Sequence, residues 1–272
     1  MERKRTKKQP KYIWLAAVVV LVAVILLITL GGREKKEKTS EAVAQGVAYL
    51  SGLEKKDPNA IRQVRREIYV SRMLAQKDEL TQGIRSGEID PFPLFEEYAI
   101  LGDSRAVGYS YSDFLPDERV LAEGGNTIRV IPYRIEELVA LNPSYIYLCY
   151  GINDINIGFW DTAEEYAEEY MQMVALIEEA LPETTVVISS TLPAKDPAFE
   201  RAKRWRLIPD WNKVLEQTCK ENGVLYANCD WLYEEMSDLW DQDGIHLRPA
   251  FYPYWAGELI TTALYGGFEN EA

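Results

Sequence analysis

Five short apolar runs, each separated from the next by a longer stretch, constrain the fold of this chain more than any other feature. They are YAIL (98–101), RVLA (119–122), YIYLCY (145–150), TVVISS (185–190) and VLYANC (224–229). Helical patterns lie between and after them, at about 127–141, 161–181, 208–222 and 253–265. Buried strands that alternate with helices predict a parallel sheet covered on both faces. Such sheets bind ligands at the carboxyl ends of their strands, so we expect the chemistry to follow the runs.

Residues 12–30 show a different pattern, nineteen residues without a charge between two basic segments. As a helix with a rise of about 1.5 Å per residue, this segment would be roughly 28 Å long, close to the thickness of a bilayer's hydrocarbon core. A cleaved signal peptide is the alternative, but its apolar region is usually about 7 to 15 residues long. We therefore expect one uncleaved transmembrane helix over 12–30.

The formal net charge of -13 combines two regions of opposite sign. Residues 1–40 carry a net charge of +7, and the remaining residues carry -20. Because six basic residues precede the apolar segment, the positive-inside rule predicts a cytoplasmic tail at 1–11 and an extracellular location for everything after the membrane helix. The acidic exterior argues against a nucleic-acid partner. We expect a single-pass protein of the cell membrane.

Two further regions follow the predicted membrane helix. Residues 31–97 are expected to form a linker and a helical stalk, because Ile61, Val64 and Ile68 make an apolar stripe at helical spacing. This stripe predicts that the stalk packs on the main domain. The strand and helix patterns place that main domain at 98–272.

Polar and glycine residues follow the first three apolar runs. The sequences are Gly102-Asp103-Ser104-Arg105, Glu123-Gly124-Gly125-Asn126-Thr127 and Gly151-Ile152-Asn153-Asp154. A serine at a strand-to-helix turn exposes its hydroxyl, glycine allows close backbone approach, and an asparagine amide can donate to a developing oxyanion. Each segment alone fits a turn or a helix cap equally well.

The chain contains a single histidine, His246, in the segment Asp243-Gly244-Ile245-His246 after the last run. An aspartate three residues ahead of a histidine can accept a hydrogen bond from Nδ1, which leaves Nε2 free to take a proton from a hydroxyl. One histidine and three cysteines without a close pair make a zinc site or a haem motif improbable. We expect no metal in the site.

These segments, in this order, closely resemble the SGNH hydrolase superfamily, the GDSL-type esterases and lipases. The matching residues are Ser104, Gly125, Asn153, Asp243 and His246. The resemblance covers about 98–266 and implies a three-layer α/β/α sandwich around a five-stranded parallel sheet, a flavodoxin-like arrangement. That strand number agrees with the five apolar runs.

The resemblance also implies a role for each matching residue. Ser104 would be the nucleophile, and His246, oriented by Asp243, would act as general base and then as general acid. The backbone amides of Ser104 and Gly125 and the side chain of Asn153 would form the oxyanion hole. No metal or organic cofactor is implied.

The chain departs from the family pattern at two positions. The leucine that usually follows GDS is Arg105 here, so this position offers a cation, a candidate substrate contact, instead of an apolar contact for a lipid chain. The second segment has two adjacent glycines, so Gly124 is an alternative to Gly125 as oxyanion donor.

The expected function is hydrolysis of esters through an acyl-Ser104 intermediate, on an acylated carbohydrate or another small ester. O-acetyl groups on cell-envelope glycans are the leading hypothesis, because an outward-facing anchored domain meets such polymers. An O-acyltransferase using the same residues is one alternative, and a non-catalytic, membrane-tethered glycan-binding module is another. Motifs alone do not separate the first two.

Two groups of side chains could contact such a substrate. A basic cluster follows the fourth apolar run and could bind a carboxylate or phosphate, with Arg204 and Arg206 as its main candidates; the other members are Lys195, Arg201 and Lys203. A solvated helix face is the alternative. Aromatic residues near the same edge could stack on sugars or belong to the core: Phe159, Trp160, Tyr252, Tyr254 and Trp255.

Three cysteines in an exported domain indicate that disulfides are not its main support. Cys149 lies in an apolar run and is expected in the core. Cys219 and Cys229 could pair or remain free thiols.

Overall fold

The computed structural model describes residues 43–47 and 58–269. The predicted basic tail at 1–11 and the predicted membrane helix at 12–30 lie outside the described residues. No helix among the described residues is long and apolar enough to cross a bilayer.

The centre of the fold is a five-stranded sheet in which every pair of neighbouring strands is parallel. Its strands are β1 (Tyr98–Gly102), β2 (Val120–Ala122), β3 (Tyr145–Cys149), β4 (Thr185–Ser189) and β5 (Leu225–Ala227). The spatial order is β2-β1-β3-β4-β5. The chain leaves β1 towards one edge and returns to form β3 on the other side, so β1 and β3 flank the topological switch point where ligands bind. The predicted sheet is confirmed.

Both faces of the sheet are buried because the strands carry apolar side chains on both sides. Alternate residues of β1 point to opposite faces: Leu101 packs into one hydrophobic cluster and Ile100 into the other. The same alternation places Leu148 and Tyr147 of β3 on opposite sides. This double burial is typical of a parallel sheet and creates the three layers of the sandwich.

The helices occupy the segments between the strands and at both ends of the described chain. They are α1 (43–47), α2 (Pro58–Ser86), α3 (Gly108–Tyr111), α4 (Ile131–Leu141), α5 (Ile152–Ile157), α6 (Ala163–Ala180), α7 (Ala198–Arg201), α8 (Ile208–Asn222), α9 (Asp230–Glu235) and α10 (Tyr252–Glu269). The predicted helix at 127–141 starts later than expected, because Ile128–Val130 forms a separate 3₁₀ turn before α4.

The start of α6 shows how local sequence sets a boundary. Thr162 Oγ1 accepts a hydrogen bond from the amide of Glu165 at 3.2 Å, and a carboxylate oxygen of Glu165 accepts from the amide of Thr162 at 3.3 Å. This reciprocal capping box satisfies amides that lack a partner inside the helix. It fixes the helix that covers one face of the sheet.

The chain divides into two units, with the boundary between Arg66 and Glu67. The second unit contains the sheet together with the C-terminal part of α2, where Val70 and Ile84 are buried. Two residues of the predicted stripe, Val64 and Ile68, are each 53% exposed. The side chain of Ile61 lies outside the described residues. The buried side chains of α2 come later in the helix, beyond the pattern that the sequence suggested.

All three cysteines are buried free thiols. Cys219 packs on one side of the sheet, whereas Cys149 and Cys229 pack on the other. Because the sheet separates Cys219 from Cys229, these two residues do not form a disulfide.

Candidate active site

Ser104, His246 and Asp243 form one line of hydrogen bonds at the carboxyl edge of the sheet. His246 Nε2 lies 3.1 Å from Ser104 Oγ, and His246 Nδ1 lies 2.6 Å from Asp243 Oδ2. Since a neutral imidazole has one donor and one acceptor, the carboxylate fixes the proton on Nδ1 and leaves Nε2 to accept from the serine. This is the arrangement that activates a serine hydroxyl as a nucleophile.

The carboxylate of Asp243 is held by two further donors. Its Oδ1 accepts hydrogen bonds from the amides of Ile245 at 2.8 Å and His246 at 2.9 Å. Partial burial raises the pKa of Asp243, but these amides and the imidazole outweigh that effect and lower it to about 2. Asp243 is therefore an anion throughout the neutral pH range, and its orientation is fixed.

The segment that carries Asp243 is a tight turn. Gly244 has φ +72°, a left-handed conformation, and a Cβ at this position would collide with the carbonyl oxygen of Lys195. The amide of Lys195 donates to the carbonyl of Gly244 at 2.8 Å. A guanidinium nitrogen of Arg201 donates to the carbonyl of Asp243 at 2.5 Å. The segment after β4 thus supports the turn directly.

Ser104 lies on the turn between β1 and α3. The turn begins at Asp103, whose backbone carbonyl accepts from the amides of Ala106 and Val107 at 3.0 and 3.3 Å. Asp103 Oδ1 also accepts from the amide of Arg105 at 2.9 Å. Burial raises the pKa of Asp103 to about 6, although Arg105 nearby partly offsets that rise. These contacts fix the backbone on both sides of Ser104.

The three predicted oxyanion donors belong to neighbouring turns. Within the described part of the chain, the backbone amides of Ser104 and Gly125 donate no hydrogen bond to protein. Gly125 has φ +84°, which a residue with a side chain rarely adopts. Asn153 Nδ2 donates to the carbonyl of Asn126 at 3.0 Å, which places this amide beside the Gly125 turn. The free amides and Asn153 could stabilise an oxyanion.

Asp154 is a site residue that the sequence reasoning missed. It is fully buried, and its Oδ1 accepts from the amide of Ile128 at 2.9 Å, while Oδ2 has no partner within the described residues. Burial raises the pKa of Asp154 to about 7. Asn153 and Asp154 therefore bind two points of the same turn, one on each side of Thr127. Its position directly after Asn153 in the sequence was the available signal.

A cleft of about 660 Å³ opens above Ser104 and His246. One wall comes from α3 and the residues next to it, and the other comes from residues 241–252. Besides Ser104 and His246, the lining residues are Val107, Gly108, Tyr111, Ser112, Asp113, Asp241, Leu247, Arg248, Pro249 and Tyr252. Tyr111, at the edge of the cleft, is 88% exposed. A second, apolar hollow of about 550 Å³ shares Asp113 with the cleft and is lined by Phe92 and Phe114. The cleft is open enough to admit a large substrate.

The structure corrects the predicted contact between Arg105 and substrate. Its side chain is 3% exposed, and its Nη1 donates to the carbonyl of Leu192. Its Nε and Nη2 are buried without a partner among the described residues. Burial lowers the pKa of Arg105 to about 10, which leaves the side chain positively charged at neutral pH. Arg105 lies beneath the site and cannot touch a ligand in the cleft.

Arg204 and Arg206 are not in the cleft wall either. Arg204 donates to the carbonyls of Ile155 and Trp160, each at 2.8 Å, and so ties α5 and its following loop to the segment before α8. The side chain of Arg206 is 61% exposed, with its guanidinium over Phe199 at 4.1 Å. Arg204 has a structural role, and Arg206 fits the solvated surface that was the alternative.

The aromatic residues divide in a similar way. Trp160 and Trp255 are buried in the core. Tyr252 is also buried, but it forms part of the cleft wall. Phe159 is exposed but lies under the guanidinium of Arg129 at 4.3 Å. Among the described residues, no group of three or more ligating side chains is arranged to hold a metal ion.

A family model, the GDSL-like lipase/acylhydrolase family, matches residues 78–253. This match covers more than half of the chain and includes the line from Ser104 to Asp243. The chain belongs to this family. The GDSL-like domain is accordingly a serine ester hydrolase. A search of curated proteins found no significant match.

Two GDSL-like lipases of known structure share the fold of the GDSL-like domain. A GDSL-like lipase from Bacteroides thetaiotaomicron aligns with a TM-score of 0.51 and 20% identity, over 72% of this chain and 97% of its own. A GDSL-like lipase from Parabacteroides merdae gives 0.50 and 18%, over 62% and 97%. An acetyl xylan esterase from Geobacillus stearothermophilus gives 0.44 and 18%, over 59% and 91%, too low a similarity to inform about substrate.

Proposed function

We propose that this chain is an extracytoplasmic esterase that removes acyl groups, in the first place O-acetyl groups, from cell-envelope glycans through an acyl-Ser104 intermediate. The observation that carries the proposal is the continuous contact from Ser104 Oγ through the imidazole of His246 to the carboxylate of Asp243. A cleft open to solvent above these atoms allows an ester on a large molecule to reach them.

The first half of the reaction transfers the acyl group to the protein. Nε2 of His246 takes the proton of Ser104 as Oγ attacks the ester carbonyl, and Asp243 stabilises the imidazolium that forms. The imidazolium then gives this proton to the departing alcohol oxygen, and the ester bond breaks. In the second half, His246 activates a water molecule that releases the acid from Ser104.

The negative oxygen of each tetrahedral intermediate needs donors fixed in advance. The amides of Ser104 and Gly125, which have no protein partner among the described residues, and Nδ2 of Asn153 would supply them. Donors that are already in position stabilise the oxyanion without any cost of reorganisation. Removal of one such donor typically lowers the turnover rate by about 10²- to 10³-fold.

The location and the polymeric substrate rest on the sequence. The uncharged segment 12–30, outside the described residues, and the basic residues before it support a single membrane helix with the catalytic domain outside. An enzyme anchored in this way meets the glycans of its own envelope, which favours a polymer-bound ester over a diffusible one.

The direct test is hydrolysis of a small aryl acetate by the purified chain. Ser104→Ala should abolish turnover. Ser110→Ala should leave it unchanged, because the Ser110 hydroxyl donates to the carbonyl of Val107 in its own helical segment. A fluorophosphonate probe should label the protein at Ser104 alone. Turnover close to wild type in Ser104→Ala would exclude the proposed nucleophile.

An acetylated glycan and an acetyl-free acceptor glycan then separate hydrolysis from transfer. Release of free acetate, with no gain of acetyl groups on the acceptor, is the expected result. Transfer to the acceptor with little free acetate would assign the same residues to an O-acyltransferase. Binding of the glycan without either reaction, by protein shown to be folded, would favour a non-catalytic module.

A further inference from the structure

Only one Lys or Arg side chain lines the cleft among the described residues, and it is Arg248. The cations that surround the site elsewhere are already engaged: Arg105 with the carbonyl of Leu192, Arg201 with that of Asp243, and Arg204 with those of α5 and its loop. Arg248 has no hydrogen bond or ion pair from its side chain within the described chain, and it is exposed. Its guanidinium is therefore free to bind a ligand.

The backbone accounts for Arg248 facing the same space as His246. The amide of Asp241 donates to the carbonyl of His246, and that of Arg248 to the carbonyl of Leu239, each at 2.8 Å. These bonds and the antiparallel bridge between Trp240 and Leu247 make a short hairpin. Since side chains alternate along an extended segment, His246 and Arg248 lie on one face, and Leu247 is buried on the other.

The backbone of Arg248 is also held in place before any ligand binds. Its backbone is extended, with φ -73° and ψ 153°, and Pro249 follows at the start of a 3₁₀ turn. The carbonyl of Arg248 accepts from the amide of Phe251 at 2.9 Å. A guanidinium on a fixed backbone can bind a carboxylate or phosphate through two parallel hydrogen bonds.

We propose that Arg248 binds an anionic group, a carboxylate or a phosphate, on the ester substrate and makes the protein selective for anionic esters; this proposal rests on the proposed function. Two residues on one face of an extended segment are on the order of 7 Å apart. The anionic group therefore lies beside the reacting ester, on the same or an adjoining unit of the substrate.

Two carboxylates, Asp113 and Asp241, line the same cleft. Both carboxylates repel an anion, so the favourable position for an anionic group in the cleft is next to Arg248. The domain as a whole is strongly acidic, so an anionic substrate meets general repulsion and depends on a local cation. If the carboxylates dominated instead, the cleft would prefer a cationic ester, and the experiment includes that outcome.

The test measures how the purified chain hydrolyses four small acetate esters that share a 4-acetoxybenzyl group. They are 4-acetoxyphenylacetate, its primary amide, 4-acetoxybenzylphosphonate and 4-acetoxybenzylamine. In each compound, a methylene group and the ring lie between the variable group and the acetate ester. The four esters therefore have similar intrinsic reactivity. The measured quantity is kcat/KM of each charged ester relative to that of the amide.

The wild-type protein should prefer at least one of the two anionic esters over the amide, and the carboxylate and phosphonate values identify which anion fits. Arg248→Gln should reduce this preference roughly tenfold, as expected for the loss of a charge-assisted hydrogen bond, with little change for the amide. Arg248→Lys should retain part of it. Arg206→Gln, which removes an exposed cation outside the cleft, is the matched control.

An unchanged preference in Arg248→Gln, or a wild-type preference for the amide or the amine, would overturn the proposal. Binding measurements separate it from the esterase proposal. In Ser104→Ala, 4-hydroxyphenylacetate should bind more tightly than its amide, and adding Arg248→Gln should remove the difference, as measured by NMR titration. Equal binding of the two ligands would refute the role of Arg248 whether or not the protein hydrolyses esters.

Discussion

At the scale of single residues, His246 is the side chain on which the proposed chemistry depends. Both of its ring nitrogens are occupied, one by Asp243 and one by Ser104. Moving the proton from Nδ1 to Nε2 would lose the acceptor that Ser104 needs, so Asp243 selects the productive tautomer. Because the chain has no other histidine, no neighbouring imidazole can replace it.

Asp154 provides a pH-dependent prediction for stability. Its pKa is raised from 3.8 to about 7, so the folded protein keeps a proton that the unfolded chain loses over this interval. The unfolded state binds fewer protons there, and the free energy of unfolding falls as the pH rises from about 4 to about 7. Asp154→Asn keeps an oxygen for the amide of Ile128 and removes the titration.

We therefore expect the Tm of the wild-type protein to fall more than that of Asp154→Asn between about pH 5 and about pH 8. A difference of about 1 kcal/mol corresponds to roughly 2–4 °C for a domain of this size. Asp161→Asn, at an exposed position, should follow the wild-type curve. Parallel curves for wild type and Asp154→Asn would show that the carboxyl is ionised in the fold throughout.

The line of Ser104, His246 and Asp243 could be predicted because Ser104 comes just after β1, and because Asp243 lies three residues ahead of the single histidine of the sequence. The contacts of the arginine side chains could not be predicted. An arginine side chain is long, and the sequence does not show whether its guanidinium ends in the cleft or on a backbone carbonyl. Arg105 and Arg204 end on carbonyls, whereas Arg248, which carried no distinctive signal, lines the cleft.

At the scale of elements, the turn of Asp243 depends on the segment that follows β4. Arg201, the last residue of α7, donates to the carbonyl of Asp243, and the carbonyl of Lys195 lies too close to Gly244 for any side chain there. Lys195 Nζ also donates to the carbonyl of Ser237 at 2.6 Å. These bonds join two elements that are distant in sequence, and they hold the carboxylate under the imidazole.

Arg201 is accordingly expected to be a positioning residue. Arg201→Ala should lower kcat roughly tenfold on every ester, with little change in KM, because it loosens Asp243 without touching substrate. Arg201→Lys should restore part of the rate. Lys203→Ala, at a neighbouring exposed cation, is the control. A change confined to KM or to anionic esters would instead mean that Arg201 contacts the substrate.

The strands could be predicted closely because a short apolar run flanked by polar turns, repeated between helical patterns, is typical of a buried strand and of little else. Short helices such as α5 and α9 were missed, because six residues are too few to show a helical period. The pattern in α2 was misleading for a related reason. Its stripe at Val64 and Ile68 is apolar but exposed, whereas the buried apolar side chains Val70 and Ile84 come further along the helix.

At the scale of the whole molecule, the unit that contains the sheet starts at Glu67, well before the first strand. Ile84 in α2 is buried against Gly257 in α10, where a Cβ on the glycine would lie 2.8 Å from Ile84. The guanidinium of Arg85 lies over the ring of Trp231 at 3.7 Å. These contacts make the end of α2 part of the domain's own packing.

We expect Ile84→Ala to lower the free energy of unfolding by about 2–5 kcal/mol, since it removes a buried side chain and leaves a cavity. Ile68→Ala, at an exposed position of the same helix, should change it by less than about 0.5 kcal/mol. Urea unfolding of both variants checks this. A loss as small for Ile84→Ala as for Ile68→Ala would show that the buried end of α2 does not contribute to the stability of the domain.

Ser104 and His246 are 142 positions apart in the chain, and all of β2 to β5 lies between them in the sequence. No shorter piece that lacks either end can bring the two atoms together. The rate of ester hydrolysis is therefore a measure of the amount of fully folded protein. In a refolding or export experiment, the rate in an aryl acetate assay would report this amount independently of how much secondary structure has formed.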